Sequence, residues 1–378
     1  MSEHRYDIDW IRVIAFDILI VWHVGLFFVS WESKVQWDLP LKNNVQVNWL
    51  LWPMLFVRQW RLPVLFVISG MGTRFALSSK SGLKYMKERF IRLFVPLIAG
   101  ILIIIPPQVY LERLNQGLAD VSFLNFYPSI FQGIYPEGNF SWGHLWFLAY
   151  LFIMSILALP VFLLLRKHGQ GIFKAVGKML KKNPLSLLLF ALPLIPIEIL
   201  LEKKFPLTMA LTNDWYAFSF YMYCFIVGFF LANIGNSSWT AFIRIRYLTL
   251  FSGAVASVVV ILMLEKGEST LWIQVLKPVN VWLWILTIFG FSAKYLNKKS
   301  DLLVYRNNAV YTIYILHFTI MLFLGYLLKD NSIYYGLKMV IMFIGTFGFS
   351  LFFYEYFIKR IAFLHPLFGI KRKTSKVV

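Results

Sequence analysis

Asp9-Trp10-Ile11-Arg12-Val13-Ile14-Ala15-Phe16-Asp17-Ile18-Leu19-Ile20-Val21-Trp22-His23-Val24 decides how the chain is read. With its continuation to residue 30 the stretch is apolar and long enough to cross a bilayer. Arg12 and His23 have ten residues between them. At about 100° per residue they share one helical face, roughly 16 Å apart along the axis. Ionisable groups inside a bilayer are expensive, so a cation near the start of a membrane helix and an imidazole further in mark a functional site. The plainer alternative is an arginine that snorkels to the interface and a histidine in one buried hydrogen bond. Asp17, six residues before His23, lies about 240° round the helix. It cannot orient that imidazole from the same face and should pair with an arginine of another helix, Arg58 being one candidate.

Outward from this helix, the composition carries the same message. Of 378 residues, 59% are hydrophobic and 19% aromatic, and the mean hydropathy is +0.67, which excludes an ordinary soluble globule. The fold class is an all-α polytopic membrane protein. Apolar runs predict about ten spanning helices at 9–30, 48–75, 89–112, 142–165, 183–201, 216–235, 246–264, 272–295, 308–328 and 333–358. Residues 1–360 read as one transmembrane domain and 361–378 as a basic cytoplasmic tail, with no soluble domain or internal repeat. The formal charge of +19 sits in short loops, so it indicates positive-inside topology and contact with anionic headgroups of the lipid bilayer, with no nucleic acid as partner. Lys80, Lys84 and Lys87, then Arg166 to Lys182, Arg244 and Arg246, Lys294 to Arg306, and finally Lys359 to Lys376 fall on one side; loops 31–47 and 113–141 carry mixed or little charge. Both termini are therefore expected in the cytoplasm. The first segment lacks a cleavage site, so no cleavable signal peptide is expected. The lone Cys224 permits no intramolecular disulfide, and the histidines show no metal-ligand spacing.

Further candidates follow in chain order. Helix two places Arg58 and Arg61 at membrane depth, where each needs a carboxylate, carbonyls or water. Ser69-Gly70 and Gly72 predict a break or a close backbone approach. Arg89 and Arg92, three apart, share a face and suit phosphate or pyrophosphate; ordinary interfacial anchoring also explains such arginines. In Trp142-Gly143-His144-Leu145-Trp146-Phe147, His144 enters the membrane from the outer side. Trp146 reads either as a belt anchor or as a platform for a sugar ring. His317 is the neighbour of Tyr314 on one helical face, whether as a buried structural pair or at a substrate site. Glu198, Lys277 and Glu355 are the other intramembrane charges.

These pieces occur in a telling order: the Arg12/His23 helix, Phe66-Val67-Ile68-Ser69-Gly70, Arg89-x-x-Arg92, His144-Leu145-Trp146-Phe147-Leu148 and Tyr311-Thr312-Ile313-Tyr314-Ile315-Leu316-His317. The set resembles the membrane-bound acyltransferase-3 family over nearly the whole chain. Within it, Asp9 to Arg12 and Gly143 to Trp146 look most like the branch that succinylates osmoregulated periplasmic glucans. The resemblance implies an integral-membrane O-acyltransferase of the bacterial inner membrane. It would move an acetyl or succinyl group from cytoplasmic acyl-CoA (acetyl-CoA or succinyl-CoA), with no metal, to a hydroxyl of an extracytoplasmic carbohydrate or glucan acceptor. By motif, Arg12 and His23 match the family's arginine–histidine pair and Arg89 and Arg92 its paired arginines. With the candidates read from the residues themselves, catalytic roles are expected for His23, Arg12 and His144. Donor binding falls to Arg89, Arg92, Arg12 and Ser69, and substrate binding to Arg58, Arg61, Trp146 and His317. A homodimer is compatible with this reading. Val13 stands where many members have glycine, and no hydrolase-like domain is attached.

The chemistry can be argued from the residues as well. Acyl transfer to a hydroxyl needs a base near the operating pH, which imidazole supplies, and the oxyanion needs donors in a dry site, for which Arg58, Arg61 or His144 are available. A succinyl group would need a cation for its distal carboxylate, and Arg58 or Arg61 offers one. Two other classes fit the composition: a secondary transporter of a small polar or anionic solute, and a non-catalytic partner in polysaccharide export.

Overall fold

The computed structural model describes residues 4–30, 39, 41–267 and 270–370. The basic tail residues Lys371, Arg372, Lys373 and Lys376, and most of loop 31–47, lie outside the described residues. The elements are α1 (Tyr6–Leu26), α2 (Leu51–Leu77), α3 (Gly82–Asn115), α4 (Trp146–His168), α5 (Gln170–Lys182), α6 (Leu194–Leu201), α7 (Trp215–Ile234), α8 (Asn236–Glu265), α9 (Leu271–Tyr295), α10 (Asp301–Leu328) and α11 (Tyr335–Phe353). Nine helical segments among the described residues are long and apolar enough to cross a membrane. α1 is not among those nine, because Asp9, Arg12 and Asp17 interrupt its apolar run. Its 21 residues still span about 31 Å at 1.5 Å per residue, which makes α1 a tenth bilayer-length helix among the described residues; the chain is an all-α polytopic membrane protein.

The apolar runs located the helices well but their ends poorly. α3 begins at Gly82 and stays helical through two π turns, Phe90–Phe94 and Gly100–Ile104. α8 starts at Asn236 and α10 at Asp301, because a helix keeps its hydrogen-bond ladder into the aqueous boundary where hydropathy has already fallen. The basic stretch after α4 is itself a helix, α5, with Phe173, Gly177 and Leu180 buried on one side and lysines on the other. Residues 361–370 include a short helix, Leu364–Leu367, that packs against residues 95–99 of α3. Gly369, with φ +63°, lies so close to the Tyr311 ring that a Cβ there would come within 2.4 Å.

α1 is packed among α2, α9, α10 and α11. Asp7 and Asp9 in its first turn complement the positive end of the helix dipole, and Asp7 is neutralised by Arg5 at 2.6 Å. Asp17 pairs with Arg306 of α10, not with Arg58. Glu198 accepts from Lys277 of α9 at 3.0 Å and from the Tyr216 hydroxyl at 2.5 Å. Ser69-Gly70 makes a close approach, and α2 continues through it unbroken. A Cβ on Gly70 would sit 1.9 Å from the Phe225 carbonyl oxygen, and one on Gly228 2.0 Å from that of Val67. The two glycines thus let α2 and α7 cross backbone to backbone.

Candidate active site

One face of α1 carries Arg12, Phe16, Leu19 and His23, the i, i+4, i+7, i+11 positions of a helix. Toward its C-terminal end His23 meets His317 of α10. The two rings stack at 5.1 Å between centroids, with His23 Nδ1 2.9 Å from His317 Nε2, and His317 Nδ1 lies 2.6 Å from the Tyr314 carbonyl oxygen. His317 is fully buried and absent from the wall of the adjoining cavity, whereas His23 forms part of it. The His317 ring thus stands behind His23, away from the cavity wall.

His144 occupies the turn Gly143–Leu145 ahead of α4. The turn needs Gly143 at φ +46°, where a side chain would also press on Ile105. His144 Nε2 donates to the Ile315 carbonyl at 3.1 Å, and Gln108 Nε2 lies 3.4 Å from Nδ1. Both of its nitrogens thus face protein partners, while His23 Nε2 makes no hydrogen bond to a described residue. Phe318 packs flat on His144 and edge-on to His23. Among the described residues no group of three His, Cys, Asp or Glu is arranged to hold a metal.

The cavity beside His23 measures about 390 Å³, within the range of small-ligand sites. Its floor is aromatic: Phe16 packs against Tyr314 at 5.1 Å and Phe147 at 6.4 Å. Trp146 also lines it, as does Arg61. The Arg61 guanidinium lies 3.5 Å from the centroid of the Trp22 ring, and that indole donates to the Met54 carbonyl at 3.0 Å. Arg61 is 4% exposed, and its Nε and Nη1 have no hydrogen-bond partner among the described residues. Arg58, one turn earlier, is half-buried and not on the cavity wall.

Sequence reasoning missed the loop that closes one side of the cavity, where Thr208, Met209, Ala210 and Thr212 are placed. Buried Asp214 holds it, accepting from the backbone N–H of Thr208 at 3.1 Å and of Met209 at 3.0 Å, and from the Tyr150 hydroxyl. Trp142 Nε1 donates to the Met209 carbonyl at 2.9 Å. The loop has no hydropathy signature; an aspartate just before a helix was its only sequence mark.

At the other end of the same α1 face, Arg12 Nη1 donates to Asp9 and to Asn307, both at 3.0 Å. Gly72 leaves room there, since a Cβ on it would lie 4.0 Å from Arg12 Nη2. Arg89 donates to the Thr73 hydroxyl at 2.7 Å, and the Arg92 side chain is exposed. Arg12 is within electrostatic range of Arg89, and Arg92 of both. The Ser69 hydroxyl turns back to the Leu65 carbonyl at 2.8 Å. The structure therefore brings Arg12, Arg89 and Arg92 together at one end of α1. It gathers His23, His144, Arg61 and Trp146 at the other.

Residues 5–355 match the family described as Acyltransferase domain. The chain is similar to proteins named Glucans biosynthesis protein C. In Escherichia coli O1:K1 / APEC the relative is 25% identical over 393 residues, covering 99% of this chain and 98% of the relative. In E. coli O17:K52:H18 (strain UMN026 / ExPEC) the identity is 25% over 397 residues with the same coverage. In E. coli O139:H28 (strain E24377A / ETEC) it is 24% over 397 residues. No solved structure matches the chain.

Proposed function

Since this chain belongs to the membrane-bound acyltransferase-3 family and is an acyltransferase, we propose that it transfers an acyl group from a cytoplasmic acyl-CoA to a hydroxyl of an extracytoplasmic carbohydrate. The observation that carries this reading is the single α1 face with three clustered arginines at one end and, at the other, an imidazole on a cavity wall whose Nε2 makes no hydrogen bond to a described residue. The basic loops on the arginine side support a cytoplasmic orientation for that end, in the inner membrane of a bacterium. The name of the relatives supports a glucan-like acceptor.

In this account Arg12, Arg89 and Arg92 receive the phosphates of CoA, whose charge and geometry suit guanidinium groups. The pantetheine arm runs along α1 toward His23, a distance of roughly 16 Å at 1.5 Å rise per residue. His23 Nε2 takes the proton of the acceptor hydroxyl as its oxygen attacks the thioester carbonyl. The tetrahedral oxyanion collapses with cleavage of the C–S bond. The CoA thiolate leaves and is protonated by the His23 imidazolium, so the products are an ester and free CoA. Trp146 offers an apolar face to a sugar ring.

Arg61 favours a donor that carries its own anion. A buried guanidinium on the cavity wall with no acidic partner among the described residues is costly, and the carboxylate of a donor would offset its charge. Succinyl-CoA meets this need and acetyl-CoA does not. The test is to incubate purified protein in nanodiscs with radiolabelled succinyl-CoA or acetyl-CoA and periplasmic glucan. Label should appear in the glucan, with succinyl preferred. Absence of transfer from either donor, together with no CoA binding, would overturn the proposal in favour of solute transport.

A further inference from the structure

Resting on the reading of His23 as the base, we infer that His317 is a positioning residue that fixes the His23 tautomer and so leaves Nε2 as the lone pair facing the cavity. The argument starts at the backbone. The Tyr314 carbonyl can only accept, and it lies 2.6 Å from His317 Nδ1, so that nitrogen carries the proton. A neutral imidazole has one N–H, so His317 Nε2 is an acceptor. It lies 2.9 Å from His23 Nδ1, which must therefore be the N–H partner. One proton on Nδ1 leaves His23 Nε2 unprotonated, and this is the nitrogen with no hydrogen-bond partner among the described residues, on a ring that forms the cavity wall. The relay from carbonyl to His317 to His23 thus sets the state a general base requires.

Packing holds the relay in register. His317 is 0% exposed and is boxed in by Tyr314, Phe318 and the edge of His144. The His23 ring is stacked on it at an interplanar angle of 23° and is braced edge-on by Phe318. Catalytic and metal-bound histidines are commonly oriented by a carboxylate or a backbone carbonyl on the second nitrogen. Here a neutral imidazole takes that place, so no fixed negative charge has to be buried at membrane depth.

The experiment compares His317→Gln with His317→Leu in the full-length protein in nanodiscs. Glutamine retains an oxygen that can accept from His23 Nδ1; leucine fills similar space and cannot. For His317→Leu we expect a fall in kcat of about 10²-fold or more, the scale of a misset general base, with donor KM changed less than about threefold. His317→Gln should recover kcat to within about tenfold of wild type, as a substitute acceptor allows. Equal losses in two folded variants would mean His317 only fills space, and undiminished kcat in His317→Leu would also overturn the inference. A measurement on the wild-type protein removes dependence on variant folding. With ¹⁵N-labelled histidine, both His23 and His317 should show the Nδ1–H tautomer, one of these signals vanishing in His23→Ala. Finding His23 protonated at Nε2 would refute the relay whatever the activity. Absence of acyl transfer in the wild type would instead count against the acyltransferase reading, leaving the tautomer result to stand on its own.

Discussion

Replacing Arg61 with methionine should separate stability from donor choice. The guanidinium sits 3.5 Å from the Trp22 ring centroid, is 4% exposed, and leaves Nε and Nη1 without acceptors. Loss of the cation–π contact costs about 0.5–2 kcal/mol. Removing two unsatisfied buried donors returns about 1–3 kcal/mol each, and methionine fills the space with an adaptable apolar chain. The unfolding midpoint in detergent should therefore hold or rise. Function moves the other way. Hydrogen bonds to charged groups are worth about 1.5–3 kcal/mol each, so losing two of them to a succinyl carboxylate amounts to about 3–6 kcal/mol. At about 1.36 kcal/mol per decade, kcat/KM with succinyl-CoA should fall by a factor of about 10²–10⁴, and with acetyl-CoA by less than about threefold. Steady-state release of CoA from each donor, measured beside a thermal melt, reads both effects. A parallel fall for the two donors would refute the carboxylate role and assign Arg61 to the oxyanion common to both.

Three further outcomes follow from the packing. Gly70→Ala should lower stability by at least about 2 kcal/mol, because its Cβ would lie 1.9 Å from the Phe225 carbonyl oxygen; an unchanged melt would show that α2 and α7 can separate freely. Arg92→Gln leaves the fold intact, since the side chain is exposed. It should raise KM for either CoA donor by about tenfold with little change in kcat, and titration of donor against initial rate checks this. Asp214→Ala strands the Thr208 and Met209 N–H groups and the Tyr150 hydroxyl. The loop 202–214 should then be cut by limited proteolysis well before the helices; an unchanged cleavage pattern would show that other contacts hold it.

The sequence revealed most where physics is local. Periodicity put Arg12 and His23 on one face of one helix, and the structure keeps both on that face, one at each end of the candidate site. Hydropathy likewise located every long apolar segment. Pairings across the fold were beyond it. Arg306, which holds Asp17, lies 289 residues away in sequence, and nothing in either segment names the other. Helical spacing made Tyr314 visible as the neighbour of His317, but not His23, which lies 294 residues away on α1. The loop held by Asp214 carries no periodic signal, and α5 was hidden because a charge count registers lysines without asking which face they occupy. Its Phe173, Val176 and Leu180 did carry the helical spacing.

The most direct test of the account compares wild type with His23→Ala in nanodiscs, following thiol release from succinyl-CoA with and without glucan acceptor. The account predicts acceptor-dependent release by the wild type and a loss of about 10²–10⁴-fold in the variant, the range for removing a general base, with donor binding retained through the arginines at the far end of α1. Wild-type rates in His23→Ala would contradict it.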